Sequence, residues 1–416
     1  MASSAFGWLD HDERERRRMM EVVNLFREKG TLDELGIGTI RDTIADRLFP
    51  GTSTIQTRAR YFVFIPWIYV QIERDRVPSN RVDVHARKLQ WQLVQSLKAG
   101  GEGSNAGIIG IEAGENVQRL PSDIYWQGLG RWGIRLAAGS TERYQASIDA
   151  VHRHERQASM SDGAELLTSA RRSWDGSLPS PPSNFLEETT FALTRDEAEY
   201  LSERIQQSCP DSLLAGCMRP SITRKRQSRT PWDLNGLESL STDLQQDIAD
   251  ARRYSLVMEG AVLLYNLMLA ERAVEWAIAS DSSRIEHYSN ELHRWAGEMA
   301  GTQDDLEMWD RSRFWNRMYD RNPRLHPGSR QFSESWLQLA IVTRGSIRED
   351  DAARALIRAR ERRLKSALAR LHNPRALERW SGASGVGQMT YRWGNAQRIL
   401  RDILDGLDRP AGATNA

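Results

Sequence analysis

Cysteine is scarce in this chain. Only Cys209 and Cys217 occur in 416 residues. Seven residues separate them, which fits no common zinc spacing, and two thiols are too few for a disulfide framework in a chain of this size. A reducing compartment is the expectation. Net charge is equally scarce: 57 basic residues face 56 acidic ones, for a formal charge of +1, so bulk attraction to nucleic acid or to an anionic membrane is excluded and any charge preference must be local. Long hydrophobic runs are missing too. The most apolar stretch, Leu256 to Ala279, is broken by Glu259, Glu271, Arg272 and Glu275, and the uncharged run from Gly260 to Ala270 is too short to cross a bilayer. Met1 to Asp10 contain neither a basic leader nor an apolar core of a signal peptide. Together these absences predict a cytoplasmic protein without a membrane span.

Lysine is the last shortage: Lys29, Lys88, Lys98, Lys225 and Lys365 are the only five, leaving 52 arginines. Arginine keeps its charge and offers a planar fork to carboxylates and phosphates. The bland reading, a nucleotide bias in the genome, carries more weight, because the arginines are spread along the chain and matched by acids. An apolar share of 40% is that of a globular protein, and the length implies two or three domains.

Periodicity along the chain is helical. Asp10 and Glu13 have the spacing of a capping box ahead of a stripe ending at Gly30. Ile40, Ile44 and Leu48 repeat every four residues before Pro50-Gly51. Thr52 to Tyr69 reads as a buried helix kinked at Pro66, and Asp83 to Lys98 as another. Six glycines between Gly100 and Gly114 mark a loop-rich region, with Ile108 to Ile111 as a short strand or edge. Pro121 opens a helix ending near Gly133. Trp174 to Asn184, rich in proline and serine, reads as a linker. Phe191 to Gln207 carries Thr194 as a cap with Glu197 three residues on. Helices are then expected over Leu240 to Ile248, Leu256 to Ala279, Arg284 to Met299, Phe332 to Val342, Asp350 to Leu371 and Tyr391 to Leu407. The fold class expected is mainly α: a multi-helical N-terminal domain with a glycine-rich loop region (1–173), a linker (174–190), a helix and basic loop (191–233), and a helical C-terminal domain (234–416).

Signatures of catalysis are almost absent. Gly101 to Ala106 matches the dinucleotide fingerprint in letters, but a helix precedes it where that motif needs a strand. There is no Walker loop, HExxH or GxSxG. His152 and His154, two apart on a helix, face different ways. Asp42 and Asp46 share a helical face, yet Arg41 and Arg47 beside them favour a surface ion-pair lattice. No lysine follows a glutamate by two residues and no histidine precedes a lysine by two, so the usual local patterns of two nuclease classes are missing. No catalytic residue, metal ligand or cofactor is expected.

Three local basic features remain. Arg224, Lys225 and Arg226 stand in an acid-free loop where side chains can follow phosphates. Arg354, Arg358 and Arg362, with Lys365, form one helical stripe, with Leu356, Leu364, Ala367, Leu368 and Leu371 expected behind it in the core. Arg58 and Arg60 open the most apolar run and need either a buried acid such as Asp42 or an external anion. For the first two a solvated loop or helix is the bland alternative. Tyr125 and Trp126, among Arg119, Arg131 and Arg135, suit either the stacking of unpaired bases or, with more weight, plain core packing.

Phe6-Gly-Trp-Leu-Asp10, Asp33 to Asp42 (DELGIGTIRD), Leu48 to Tyr61 (LFPGTSTIQTRARY), Arg119 to Trp126 (RLPSDIYW) and Tyr391-Arg-Trp-Gly394 resemble a prokaryotic family of unknown function. That resemblance brings no activity and no catalytic residue. It implies an accessory role around foreign DNA, with a helicase or a phospholipase-D-like partner in phage-defence clusters. The function expected is therefore a non-catalytic nucleic-acid-binding subunit, DNA ahead of RNA, that contacts phosphates through Arg58, Arg60, Arg224, Lys225, Arg226, Arg354, Arg358 and Arg362. The alternatives are a protein-interaction scaffold and, last, an atypical metal-dependent nuclease using Asp42, Asp46 or Glu112.

Overall fold

The structure, a computed structural model, describes residues 33–112, 114, 117–159, 173–222, 228–343, 346–385 and 387–410. The helix expected between Asp10 and Gly30 lies outside them. Among the described residues the fold is mainly α, with no strand. Its helices are α1 Gly38–Leu48, α2 Tyr61–Arg74, α3 Ser79–Ala99, α4 Pro121–Arg131, α5 Thr141–Ser159, α6 Arg195–Ser208, α7 Leu213–Gly216, α8 Thr242–Glu275, α9 Ser283–Gly301, α10 Gln303–Glu307, α11 Arg311–Arg321, α12 Pro327–Val342, α13 Asp351–Lys365, α14 Pro374–Leu377 and α15 Trp393–Leu407.

The chain forms two compact units, each assembled from separate stretches of sequence. One takes the described part of Met1–Thr43 with Asp250–Met389; the other takes Ile44–Ala249 with Thr390–Ala416. The division falls inside α1 and inside α8. It therefore differs from the expected succession of domains along the chain, because helical periodicity says which face of a segment is buried and nothing about which distant segment buries it.

In the unit built on Ile44–Ala249, α2 is the central element. Ten of its fourteen residues are buried, from Tyr61 to Tyr69 and again at Ile72. Pro66 sits inside the helix as expected, but the helix begins at Tyr61 and not at Thr52, residues 52–60 forming turns and loop, and α3 and α4 pack against it. The stretch expected as a linker belongs to this core instead. Trp174 pairs with Arg135 in an isolated bridge, the Trp67 indole donates to the Pro179 carbonyl at 2.6 Å, and Phe185 stacks on Phe64 at 5.5 Å. Its prolines shape a loop pinned to this unit at Trp174, Pro179 and Phe185. The residues Ile108 to Ile111 form turns between left-handed glycines at 107, 110 and 114. α15 returns to pack on α6, and a Cβ at Gly406 would stand 2.7 Å from that of Ala198, so the crossing needs a glycine.

The other unit takes α8 from Asp250 onward, and that helix merges two expected ones into a single helix of 34 residues. Its middle meets α9 and α12 through two buried indoles: Trp295 donates to the Leu256 carbonyl at 2.7 Å and Trp336 to that of Val257 at 2.8 Å. α12 packs on α13 and on α10. The amphipathicity of α13, Arg-rich on one side and held by Ala353 and Ile357 on the other, places the site considered next.

Candidate nucleic-acid interface

The expected arginines have different fates. Arg60 is fully buried, and its guanidinium makes a two-pronged pair with Glu197, Nε to Oε2 at 2.9 Å and an amino group to Oε1 at 2.8 Å, while a third donor reaches the Thr190 carbonyl at 2.7 Å. Arg58 holds Asp402 in the same forked way at 2.9 to 3.2 Å and donates to the Ala106 carbonyl. Burial opposes the charge on Arg58, but Asp402 outweighs it and the guanidinium is raised above its usual value; burial likewise lifts the Asp402 carboxyl against the pull of Arg58. Both arginines are thus neutralised inside the protein, by Glu197 and Asp402 rather than by Asp42, and neither presents a free fork to a phosphate. The reason is proximity to the apolar run: a cation at the edge of α2 has to be paired.

Tyr125 and Trp126 are core residues as well. Tyr125 is fully buried, accepts from the Thr57 and Arg58 amides at 2.8 and 3.0 Å and donates to the Arg58 carbonyl at 2.9 Å, so it fixes the backbone of the loop before α2. Trp126 lies in a cluster with Tyr69, Tyr144 and Trp174, every pair of ring centroids 5.3 to 5.9 Å apart. That mutual contact fills the space between the rings and leaves no face for a base. Arg224, Lys225 and Arg226 lie outside the described residues.

What remains of the expectation is on α13. Between residues 352 and 377 stand eight cations and one acid, Glu361, in a chain whose total charge is +1. A turn of about 100° per residue sets Ala353, Ile357, Arg360 and Glu361 on the buried side, and Arg358, Arg362 and Arg363 on the side away from it, where Arg362 and Arg363 are exposed and Arg358 is half-exposed. No ion pair joins these three to another described residue. Arg354 is different: it pairs with Glu271 and donates to the Arg348 carbonyl. The leucines expected behind the stripe are divided. Leu371 is buried, whereas Leu364 and Leu368 are 43% and 68% exposed. Ser366, at φ 50°, ends α13, and the chain turns before the apolar spacing can continue on the same face.

The buried side of α13 carries a polar cluster that sequence reading missed. Arg360, 6% exposed, donates to the carbonyls of Leu35 and Gly36 at 2.8 and 3.1 Å, to that of Gly328 at 3.0 Å and to the Ser329 hydroxyl at 3.0 Å. Gly36 has φ +66°, and a Cβ there would stand 2.4 Å from that guanidinium, so only glycine lets the turn close on it. Glu361, fully buried, accepts from the Tyr265 hydroxyl at 2.6 Å and from the amides of Arg370 and Leu371 at 2.8 and 3.1 Å. Glu34 contacts the Lys365 ammonium and takes Arg370 at 2.6 Å. Arg370 also reaches the Ser384 hydroxyl, whose backbone Asn266 holds from both sides. Burial, then the neighbouring Arg370 guanidinium, pulls the Lys365 ammonium down to about 7. Two carboxylates, Glu34 and Glu361, thus meet Lys365 and Arg370 inside the unit, while Arg360 is held by neutral oxygens alone. Glu34 stands more than 300 residues from its partners, so no local spacing signals it. Arg363 was within reach of sequence reading, in the same run as Arg362, but off the single stripe considered there.

Among the described residues no three histidine, cysteine, aspartate or glutamate side chains group to hold a metal. Asp46 pairs with Arg392 at 2.5 Å and Asp42 with Arg41 at 3.2 Å. No helix among the described residues is long and apolar enough to cross a membrane.

The chain belongs to the Family of unknown function (DUF6361), whose model matches residues 3–406. No curated protein and no solved structure matches it.

Proposed function

We propose that this member of DUF6361 is a non-catalytic, cytoplasmic nucleic-acid-binding subunit, DNA ahead of RNA, that accompanies a helicase or a phospholipase-D-like nuclease in antiviral defence. One observation supports the reading most: Arg358, Arg362 and Arg363 share the outer side of α13 without an acid partner, in a protein where so many other arginines are engaged by carboxylates. Guanidinium groups left in this state suit phosphate oxygens, which they bind in a forked geometry. The helix rises about 1.5 Å per residue, so the three span a few phosphates of one backbone and carry no base-reading chemistry.

The test is fluorescence anisotropy of a labelled oligonucleotide titrated at several salt concentrations. Each phosphate neutralised contributes about 0.9 to the slope of log K against log salt on duplex and about 0.7 on a single strand. Replacing all three arginines by alanine is expected to flatten the slope by about 2 to 3 and to weaken binding at low salt on every sequence alike. Binding that ignores salt, or that survives the triple substitution unchanged, removes the basis of this function.

A further inference from the structure

The cationic segment 352–377 is only partly turned outward, and what turns the rest inward is the short turn from Asp33 to Gly36. Arg360 is held by the carbonyls of Leu35 and Gly36. Lys365 and Arg370 are both held by the Glu34 carboxylate. Asp33 takes no cation; its carboxylate accepts from the Ile37 and Gly38 amides at 2.7 and 2.8 Å and so caps α1. Of these three cations, Arg360 is enclosed on all sides, but the side chains of Lys365 and Arg370 keep 21% and 14% of their surface. Lys365 stands two and three residues beyond Arg363 and Arg362 on α13, and Arg370 shares the Glu34 carboxylate with it. An arginine at that depth with a carboxylate on it contributes little to the field outside; the same arginine without the carboxylate contributes a full charge.

We propose that Glu34 is an internal counter-charge that limits the affinity of the α13 face for polyanions, by engaging Arg370 and Lys365 from the inside. The proposal rests on the nucleic-acid reading of that face and adds a residue that lies on none of the expected basic segments. Its consequence runs against intuition for a folded-state ion pair: removing an acid should strengthen binding. Arg370 is the cation that matters most, since its planar fork can take two phosphate oxygens at once, whereas Lys365 sheds its proton near neutrality. After loss of Glu34, Arg370 retains the Ser384 hydroxyl at 3.0 Å and Lys365 retains Glu361 at 3.7 Å, so the local backbone keeps its supports.

The experiment uses the full chain and the same labelled oligonucleotide. Glu34→Gln is expected to tighten binding by about three- to tenfold at low salt and to steepen the salt slope by about 1, one further phosphate contact. Glu34→Asp, which keeps the charge, should leave the slope as it is. Arg370→Gln alone should leave the slope unchanged, because Arg370 is already engaged, while the bared Glu34 carboxylate weakens binding at low salt, and in combination with Glu34→Gln it should restore the original slope. A purely structural role for Glu34 would lower the melting temperature and leave the slope alone, and that result in a folded Glu34→Gln protein overturns the proposal. Should Glu34→Gln not fold, Arg370→Gln still decides: a slope flattened by about 1 would show that Arg370 faces the ligand in the native protein and overturn the proposal, while an unchanged slope supports it. The triple arginine variant separates the two ideas. If it weakens binding and Glu34→Gln changes nothing, only the counter-charge fails; if neither matters, the face itself is wrong.

Discussion

At the scale of single residues, the arginines of this protein fall into two populations that look alike in the sequence. Arg60 and Arg362 each stand in a run with other basic residues, yet one is sealed against Glu197 and the other is exposed. Glu197 has two tasks at once. Its Oε2 accepts from the Thr194 amide at 3.0 Å, closing the capping box of α6, and from Arg60 at 2.9 Å. The box was legible from the spacing of Thr194 and Glu197; the pairing with a residue 137 positions away was not. Because both members are buried, truncating one leaves an uncompensated charge in the core. Arg60→Ala is expected to lower the unfolding free energy by about 3 to 5 kcal/mol in urea titrations, and a loss below about 1 kcal/mol would mean that Glu197 finds another donor or water.

Among the elements, α13 and α8 show what periodicity can and cannot carry. Helix identity was legible for both, since apolar residues recur at three and four. The orientation of α13 was legible in part. Its outer arginine row follows from the pattern, but its inner face holds Arg360 and Glu361, charged residues that no hydrophobic count places inside. They are tolerated there because every donor of Arg360 named above meets an oxygen and Glu361 accepts three hydrogen bonds. On α8 the decisive residue is Gly260, unremarkable by sequence. A Cβ at that position would come within 2.3 to 2.6 Å of the Trp295 indole, which is pinned by its bond to the Leu256 carbonyl and is fully buried. Gly260→Ala gains helix propensity but overpacks the crossing of α8 and α9. Thermal unfolding should show a net loss of about 1 to 3 kcal/mol; a gain in stability would mean that the indole has room to shift.

For the whole molecule, the consequence of two discontinuous units is that no simple cut follows the fold. The fragment 234–416, expected from sequence as a domain, lacks Asp33 to Gly36 and with them the oxygens that hold Arg360, Lys365 and Arg370; it also separates α15 from α6 and Asp402 from Arg58. Expressed alone, it should show neither a cooperative melting transition nor native near-ultraviolet dichroism. A fragment that melts cooperatively would show that those contacts are dispensable.

The amino-acid order by itself determined the helical class, the cap of α6 by Thr194, the proline that opens α4 and the concentration of arginines on α13, because each of these follows from neighbours within a few turns of one another. Tertiary structure alone decided which arginines are sealed and which are open, that Tyr125 and Trp126 belong to a packed core, and that Glu34 engages Lys365 and Arg370. The physical reason is that charge becomes available or unavailable through partners a hundred or more residues away, and such partners leave no mark on local spacing.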